Sequence, residues 1–553
     1  MNRLGASTSP YLRQHADNPV HWQEWSEAAL VEAAERDVPI LLSIGYAACH
    51  WCHVMAHESF ENEAIARQMN DGFVCIKVDR EERPDLDAIY MNATVAMTGQ
   101  GGWPMTCFLT PDAVPFYCGT YYPPEPRNGQ ASFPQLLEAI GDTWREKRGD
   151  VFRVAEQVAG HLRQASSGLP DGAPPSPEDL DAAVSALVAE EDSSGGFGRA
   201  PKFPPSSTVE ALVRHHERTG DRAAYAVAWR CAEAMARGGI YDQLGGGFAR
   251  YAVDADWVVP HFEKMLYDNA LLLRFYAHLG RRTGSALALR VADETADFLV
   301  RDLGVAGGGL ASSLDADTVV DGHGVEGATY VWTPGQLIEV LGEDDGAWAA
   351  EVFAVTEHGT FEHGTSTLQL RGEPDPARLA GVRRKLFAAR SIRPQPDRDD
   401  KVVTVWNGLA ITALAEAGRP LDPGLMIESD LTVGGGHAAM AALLDRCGAT
   451  RPDAIFCFND LVAIGAMCAA QQRGLRVPEN LAVIGYDDID IAAFTSPPLT
   501  TIRQPAYDIG VKAAELLVGL LDHGRPLPRT LALEPVLVER LSVTSATNPG
   551  RSA

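Results

Sequence analysis

The chain has 553 residues, of which 46% are hydrophobic and 22% charged, and its formal net charge is −27. That length exceeds what one hydrophobic core supports and calls for three or four domains. The acidity excludes a large basic footprint for nucleic acid. Residues 1–22 lack an apolar signal core and no run of eighteen apolar residues occurs, so neither a signal peptide nor a membrane span is expected. Nine cysteines, mostly isolated, do not read as a disulfide framework, and the cytoplasm is the expected compartment.

Residues 27–36 have the spacing of an amphipathic helix, and 38–44 form a short apolar run of buried-strand type. The dipeptide-spaced thiols of Cys49-His50-Trp51-Cys52 follow at once, after which 54–70 continue with helical periodicity. A second apolar strand at 73–79, a helix at 85–97, a glycine turn at 99–102 and a strand at 105–109 complete a βαβ-then-β pattern. A dithiol between a strand and a helix start has a chemical consequence. Unpaired amides and the helix dipole favour a thiolate there, which makes Cys49 the expected nucleophile and Cys52 the resolving thiol. His50, when protonated, favours that thiolate further. Pro104, just before the third strand, is where a cis-proline is expected against the dithiol. A competing reading gathers Cys49, Cys52, His53 and His57 around zinc; it requires four ligands from little more than two helical turns and has no second cysteine pair to support it.

The segments SPYLRQHADNPVHWQEW, GYAACHWCHVMAHESFEN, KVDREERPDLD, TGQGGWPMTCFLTPD and GTYYPP resemble the YyaL family, whose animal member is a spermatogenesis-associated protein. The resemblance covers residues 4 to about 418. It implies a thioredoxin-like domain followed by an α/α six-hairpin toroid related to N-acylglucosamine epimerases and glycosidases, and no settled activity.

The expected division places the thioredoxin-like domain at 1–165 and a Pro/Gly/Ser-rich linker at 166–177. A helical region at 178–419 follows, with helices near 178–190, 208–219, 222–237, 264–280 and 285–301 and no regular strands. Loops between these helices carry polar and aromatic residues of the kind sugar sites use: Asp242, Glu263, Asp315, Asp317 and Trp332 as ligand contacts. His261 is a candidate general base, a role implied by the histidine pair of the epimerase relatives. The same residue types also cap helices and fill cores. About seven helices are evident before Gly418, where a six-hairpin toroid needs twelve, so the toroid is read as truncated.

From residue 420 the pattern changes to α/β alternation, with a strand at 454–458, a helix at 460–474, a strand at 481–486 and a helix at 508–522. The segments IFCFNDLVAIG, GLRVP, VIGYDD and PLTTIRQ resemble the effector-binding domain of lactose-repressor regulators, a type I periplasmic-binding-protein fold. By that resemblance Asn459, Asp487 and Gln504 fall at sugar contacts, and side chains of this kind can bond vicinal hydroxyls. No helix-turn-helix precedes this piece, and most of the first lobe is missing. The expected partners are therefore a thiol or protein disulfide at Cys49 and a sugar at 420–553, with no nucleic acid, membrane, cofactor or metal. Three readings of the whole remain open: a dithiol redox protein, a sugar-sensing fragment of a regulator, and a fusion near Arg419 without a function of its own.

Overall fold

The computed structural model describes residues 1–553 apart from 128, 167–175, 307, 371, 419–426, 448–450, 453, 506–508, 515–534 and 544–553. The 166–177 linker, the Arg419 junction and the 508–522 helix fall wholly or largely outside the described residues. Packing divides the chain into two compact units, Met1–Gly304 with Leu310–Gly418 and Val305–Gly309 with Arg419–Ala553. Among the described residues no helix is long and apolar enough to cross a membrane.

The first unit opens with α1 (Pro10–Gln14), α2 (Glu27–Arg36) and β1 (Ile40–Gly45). Then come α3 (His50–Met55), α4 (Glu63–Gly72), β2 (Val74–Asp79) and α5 (Pro84–Thr98). The sheet is completed by β3 (Met105–Leu109) and β4 (Pro115–Gly119), with α6 (Phe133–Glu146) and α7 (Arg148–Ser166) after it. Strand order is β2-β1-β3-β4. Strands β1 and β2 run parallel, and β3 is antiparallel to both β1 and β4. Continuous apolar strands are what a sheet covered on both faces requires. Strict alternation then sorts them: Leu41 and Cys75 face one core, while Ile40, Leu42, Val74 and Ile76 face the other.

The single helix expected over 54–70 is broken. A π-helical turn at Ala56–Phe60 ends α3, and the Asn62 side chain then accepts from the amides of Ala64 and Ile65 to start α4 anew. Helical spacing of apolar residues ran through the break and concealed the cap.

Alternation also places Lys77 inside. Its Nζ donates to Ser43 Oγ at 3.2 Å and lies 4.6 to 5.1 Å from the ring centres of Phe60, Trp22 and Tyr11. Burial holds this amine well below the ordinary lysine range.

The helical region begins with α8 (Pro177–Ala189), α9 (Ser206–Thr219) and α10 (Arg222–Arg237). Short strands β5 (Tyr251–Ala252), β6 (Pro260–His261) and β7 (Lys264–Met265) lead to α11 (Leu266–Thr283) and α12 (Ala286–Asp302). Next are β8 (Ser313–Leu314), β9 (Asp317–Val320), β10 (His323–Glu326), α13 (Pro334–Leu341) and α14 (Glu343–Val352). Helix α15 (Pro376–Ser391), β11 (Arg398–Asp399) and α16 (Thr404–Glu416) complete it. Among the described residues seven strands of two to four residues lie in the loops between the helices. Nine helices are present among the described residues, more than the seven evident in the sequence and fewer than a twelve-helix ring. Helices α9 and α10, α11 and α12, and α13 and α14 pack as consecutive pairs. Asn269 fastens one of the loops: it takes a hydrogen bond from the Phe248 amide at 2.7 Å and returns one to the Phe248 carbonyl at 2.9 Å.

The second unit contains α17 (Val433–Cys447), β12 (Ala454–Phe456), α18 (Asp460–Gln472), β13 (Ala482–Asp487), β14 (Thr500–Arg503) and β15 (Val536–Val538). Its sheet runs β12-β13-β14-β15, parallel except for the last pair. Helices α17 and α18 pack on it through Met440, Leu443, Ala463, Ala466 and Met467.

One buried ion cluster ties the thioredoxin-like sheet to the helical region. Lys401 meets Asp79 at the end of β2, Glu81 at 2.8 Å and Asp399 of β11 at 3.1 Å. Burial pushes the Glu81 carboxyl up to about 7, against the opposing charge of Lys401. Lys401→Met leaves three buried carboxylates without their cation and is expected to cost about 3–5 kcal/mol at pH 8. An acid whose native pKa is raised stabilises the fold below its unfolded pKa and loses that contribution as pH rises through the native value. The loss should therefore be smaller at pH 5, and urea unfolding of the variant at the two pH values checks it.

Candidate functional site

Cys49 and Cys52 are joined as a disulfide, with 5.2 Å between their Cα atoms. Cys49 is the N-cap of α3, and the Cys52 amide donates to its sulfur at 3.3 Å. An N-cap sulfur aligned with the amides of a helix start is where negative charge is best stabilised once the bond opens. The Trp103–Pro104 peptide preceding β3 is cis. Both sulfur-bearing residues are buried, Cys49 at 4% and Cys52 at 2% exposure, although Trp51 between them is 45% exposed.

Side chains of the helical region meet the residues around the dithiol. His50 Nδ1 bonds the Asp317 carboxylate at 2.8 Å, at the start of β9. His53 Nε2 bonds the Ala47 carbonyl at 2.6 Å and lies 3.7 Å from Asp315 Oδ2. The His261 ring centre is 6.0 Å from that of His50, and its Nδ1 bonds Glu326 Oε1 at 2.7 Å. Glu263 Oε1 accepts from the Tyr46 hydroxyl at 3.0 Å and pairs with Arg250 at 3.2 Å. Arg80 lies 4.1 Å over the Trp103 ring, and Arg250 lies 5.0 Å over that of Tyr46.

The electrostatics follow from burial and these pairs. Burial alone would lower the His50 pKa; the hydrogen bond and charge of Asp317, helped by Glu326 and Asp315, raise it instead. Asp317 is correspondingly lowered, with burial outweighed by the His50 hydrogen bond. Asp315 is pushed up to about 6 by burial, and Asp268, partly buried near Arg250 and Glu263, to about 7. A histidine with a raised pKa next to an N-cap sulfur lowers, when protonated, the cost of a Cys49 thiolate.

Of the residues expected to act, Cys49, Cys52, His50, His261, Glu263, Asp315 and Asp317 thus contribute to one constellation. Others do not join it. Trp332, expected as a sugar platform, is 1% exposed and packs among Leu337, Leu368 and Leu370, with Arg393 3.8 Å over its ring; it is a core residue. Asp242 has its own buried cluster, taking Lys264 at 2.8 Å and Arg390 at 2.7 Å, and those two cations hold its carboxyl far below the usual range against burial. Tyr46, Arg250 and Asp268 belong to the constellation but carried no signal: single residues on separate segments have no spacing to recognise.

The thiolate–imidazole zinc set is not assembled, because the two sulfurs are bonded to each other and His57 pairs with Glu61 on an exposed helix face. His53, Asp315 and Asp317 do bring one possible ligand atom each within 4.8 Å of one another. Two of those groups are already engaged, His53 with Ala47 and Asp317 with His50.

In the second unit, Gln504 Nε2 bonds Asp487 Oδ1 at 2.5 Å across the ends of β13 and β14. Asn459 is the N-cap of α18, where its Oδ1 accepts from the Val462 amide at 2.9 Å. Its amide nitrogen lies 3.5 Å from the Leu431 carbonyl, so both ends of the side chain have partners within the unit.

Residues 1–163 match the family model Thioredox_DsbH, described as a protein of unknown function, DUF255. These residues are similar to that thioredoxin-like family. Residues 378–543 match the periplasmic binding protein-like domain. The chain is 36% identical over 463 residues to the uncharacterized protein B0495.5 of Caenorhabditis elegans, covering 75% of the chain and 62% of the relative. It is likewise 36% identical over 466 residues to spermatogenesis-associated protein 20 of Rattus norvegicus, covering 76% and 58%. A separate 133 residues are 43% identical to the ribose operon repressor of Haemophilus influenzae, covering 24% of the chain and 40% of that protein. The chain thus spans about three-fifths of the length of the first relatives it matches, and a LacI-like domain stands at its C-terminal end.

Asp317→Ala removes the interaction that opposes the burial of His50. His50 should then titrate at a lower pH than in the unaltered protein, read from its ring-proton NMR signal. Because the raised pKa stabilises the fold at low pH and that contribution fades as pH rises through it, the stability difference between the two proteins should be larger at pH 5 than at pH 9.

Proposed function

We propose that the first unit is a thiol–disulfide redox protein whose reacting centre is Cys49. The carrying observation is the Cys49–Cys52 disulfide at the start of α3 with His50 held by Asp317. In the reductive direction, an incoming thiolate attacks Cys49 Sγ and the S–S bond breaks, its electron pair passing to Cys52 Sγ. A second external thiolate attacks the outer sulfur of the mixed disulfide, and Cys49 leaves as a thiolate. Two external thiols are oxidised to one disulfide while the protein gains two electrons and its dithiol. The burial of both cysteines favours a small thiol over a folded protein as reductant.

Titration of the full chain against glutathione, read by thiol alkylation and mass spectrometry, should give one reversible two-electron transition that Cys49→Ser abolishes. The absence of any reversible Cys49–Cys52 transition sinks this reading.

A second reading applies to the second unit: sugar binding at the ends of β13 and β14, favoured by the paired Asp487 and Gln504. Only part of a two-lobed cleft is present, so affinity should be in the millimolar range or weaker. Calorimetry against mono- and disaccharides tests it, with heat lost in Asp487→Ala; no heat at millimolar sugar would end it.

A further inference from the structure

The segment around Ser9-Pro10-Tyr11 is among the most distinctive in the sequence, and dithiol chemistry as described above makes no use of it. Ser9 caps α1, accepting from the Leu12 amide at 3.2 Å, and its hydroxyl donates to Asp79 Oδ2 at 2.6 Å. This pins α1 against the end of β2 and fixes Tyr11, which is 0% exposed. The Tyr11 hydroxyl has no hydrogen-bond partner among the described residues. A buried hydroxyl without a partner is costly and calls for a reason.

Gly45, at the end of β1, shows where that hydroxyl lies. A Cβ added to Gly45 would overlap the Tyr11 hydroxyl oxygen and come within 2.7 Å of Cys52 Sγ. The two atoms therefore share the space that the glycine leaves open. In the disulfide, Cys52 sulfur is neutral and a weak acceptor; once the bond breaks it is a buried thiolate, a strong one.

We propose that Tyr11 positions and stabilises the leaving sulfur, donating its hydroxyl hydrogen bond to the Cys52 thiolate formed when the disulfide opens. The inference rests on the dithiol reading above. Burial, with the charge of Asp79 beyond it, holds the Tyr11 pKa well above its ordinary value, so the phenol remains a donor. The thiolate keeps its electron pair and negative charge; Tyr11 keeps its proton; the external thiol is what is oxidised.

The test is the glutathione equilibrium of the full chain and of Tyr11→Phe. The hydrogen bond exists only in the reduced state, so its loss should shift the equilibrium toward the disulfide by about tenfold, while far-UV circular dichroism stays the same. An unchanged equilibrium in a folded variant overturns the proposal. Should Tyr11→Phe fail to fold, a crystal structure of the reduced, unaltered protein decides. A Tyr11 hydroxyl in hydrogen-bonding contact with Cys52 Sγ supports the role, and one directed elsewhere overturns it. A redox-inactive dithiol in the unaltered protein would remove the underlying reading instead, which separates the two failures.

Discussion

The hydrogen bond between His50 and Asp317 joins residues 267 positions apart, one inside the dithiol motif and one on a strand of the helical region. Its consequences run in both directions. It raises the His50 pKa where burial would lower it, and with the approach of Asp315 to His53 it brings residues 315–317 to the histidines around the dithiol. The sulfur at a helix start and a neighbouring histidine with a raised pKa favour a thiolate at Cys49, and they act against the burial that would disfavour one.

The surrounding polar residues make sense as compensation for that arrangement. Glu263, Asp268, Asp315 and Glu326 bring negative charge into a partly dry space, and His261, Arg250 and Arg80 are set among them. Raised carboxyl pKa values at Asp315 and Asp268 show that the compensation is incomplete. Lys401, at the end of β2, repeats the solution with one cation among three acids. The two regions of the first unit are thus held together by buried charge as well as by apolar packing, and removing a single partner leaves the others exposed to the full cost of desolvation.

The second unit has a different lineage and a different logic. Its sheet and two helices form a core of their own, and the Asp487–Gln504 pair sits at strand ends, where open parallel sheets place ligands. It is similar to the ribose operon repressor and to the transcriptional repressor PurR, while the first unit is similar to a spermatogenesis-associated protein and an uncharacterized nematode protein.

The sequence by itself determined the local features: the apolar strands read at 38–44 and 73–79, the helix starting at Glu27, the dithiol between strand and helix, and the two family resemblances. These depend on neighbours a few positions apart, which spacing records. It did not record the break at Asn62, where a side-chain cap overrides an unbroken apolar period, or the short strands between helices, which owe their existence to partners distant in sequence. Trp332 looked like a ligand platform because an aromatic beside glycines and acids has the same composition in a core as in a pocket. Only the tertiary structure decided that His50 meets Asp317, that His261 and Glu263 join them, and that Tyr11 ends beside Cys52 without a partner. Those contacts are set by how separately formed elements bury their charges against each other, and that balance is struck in three dimensions.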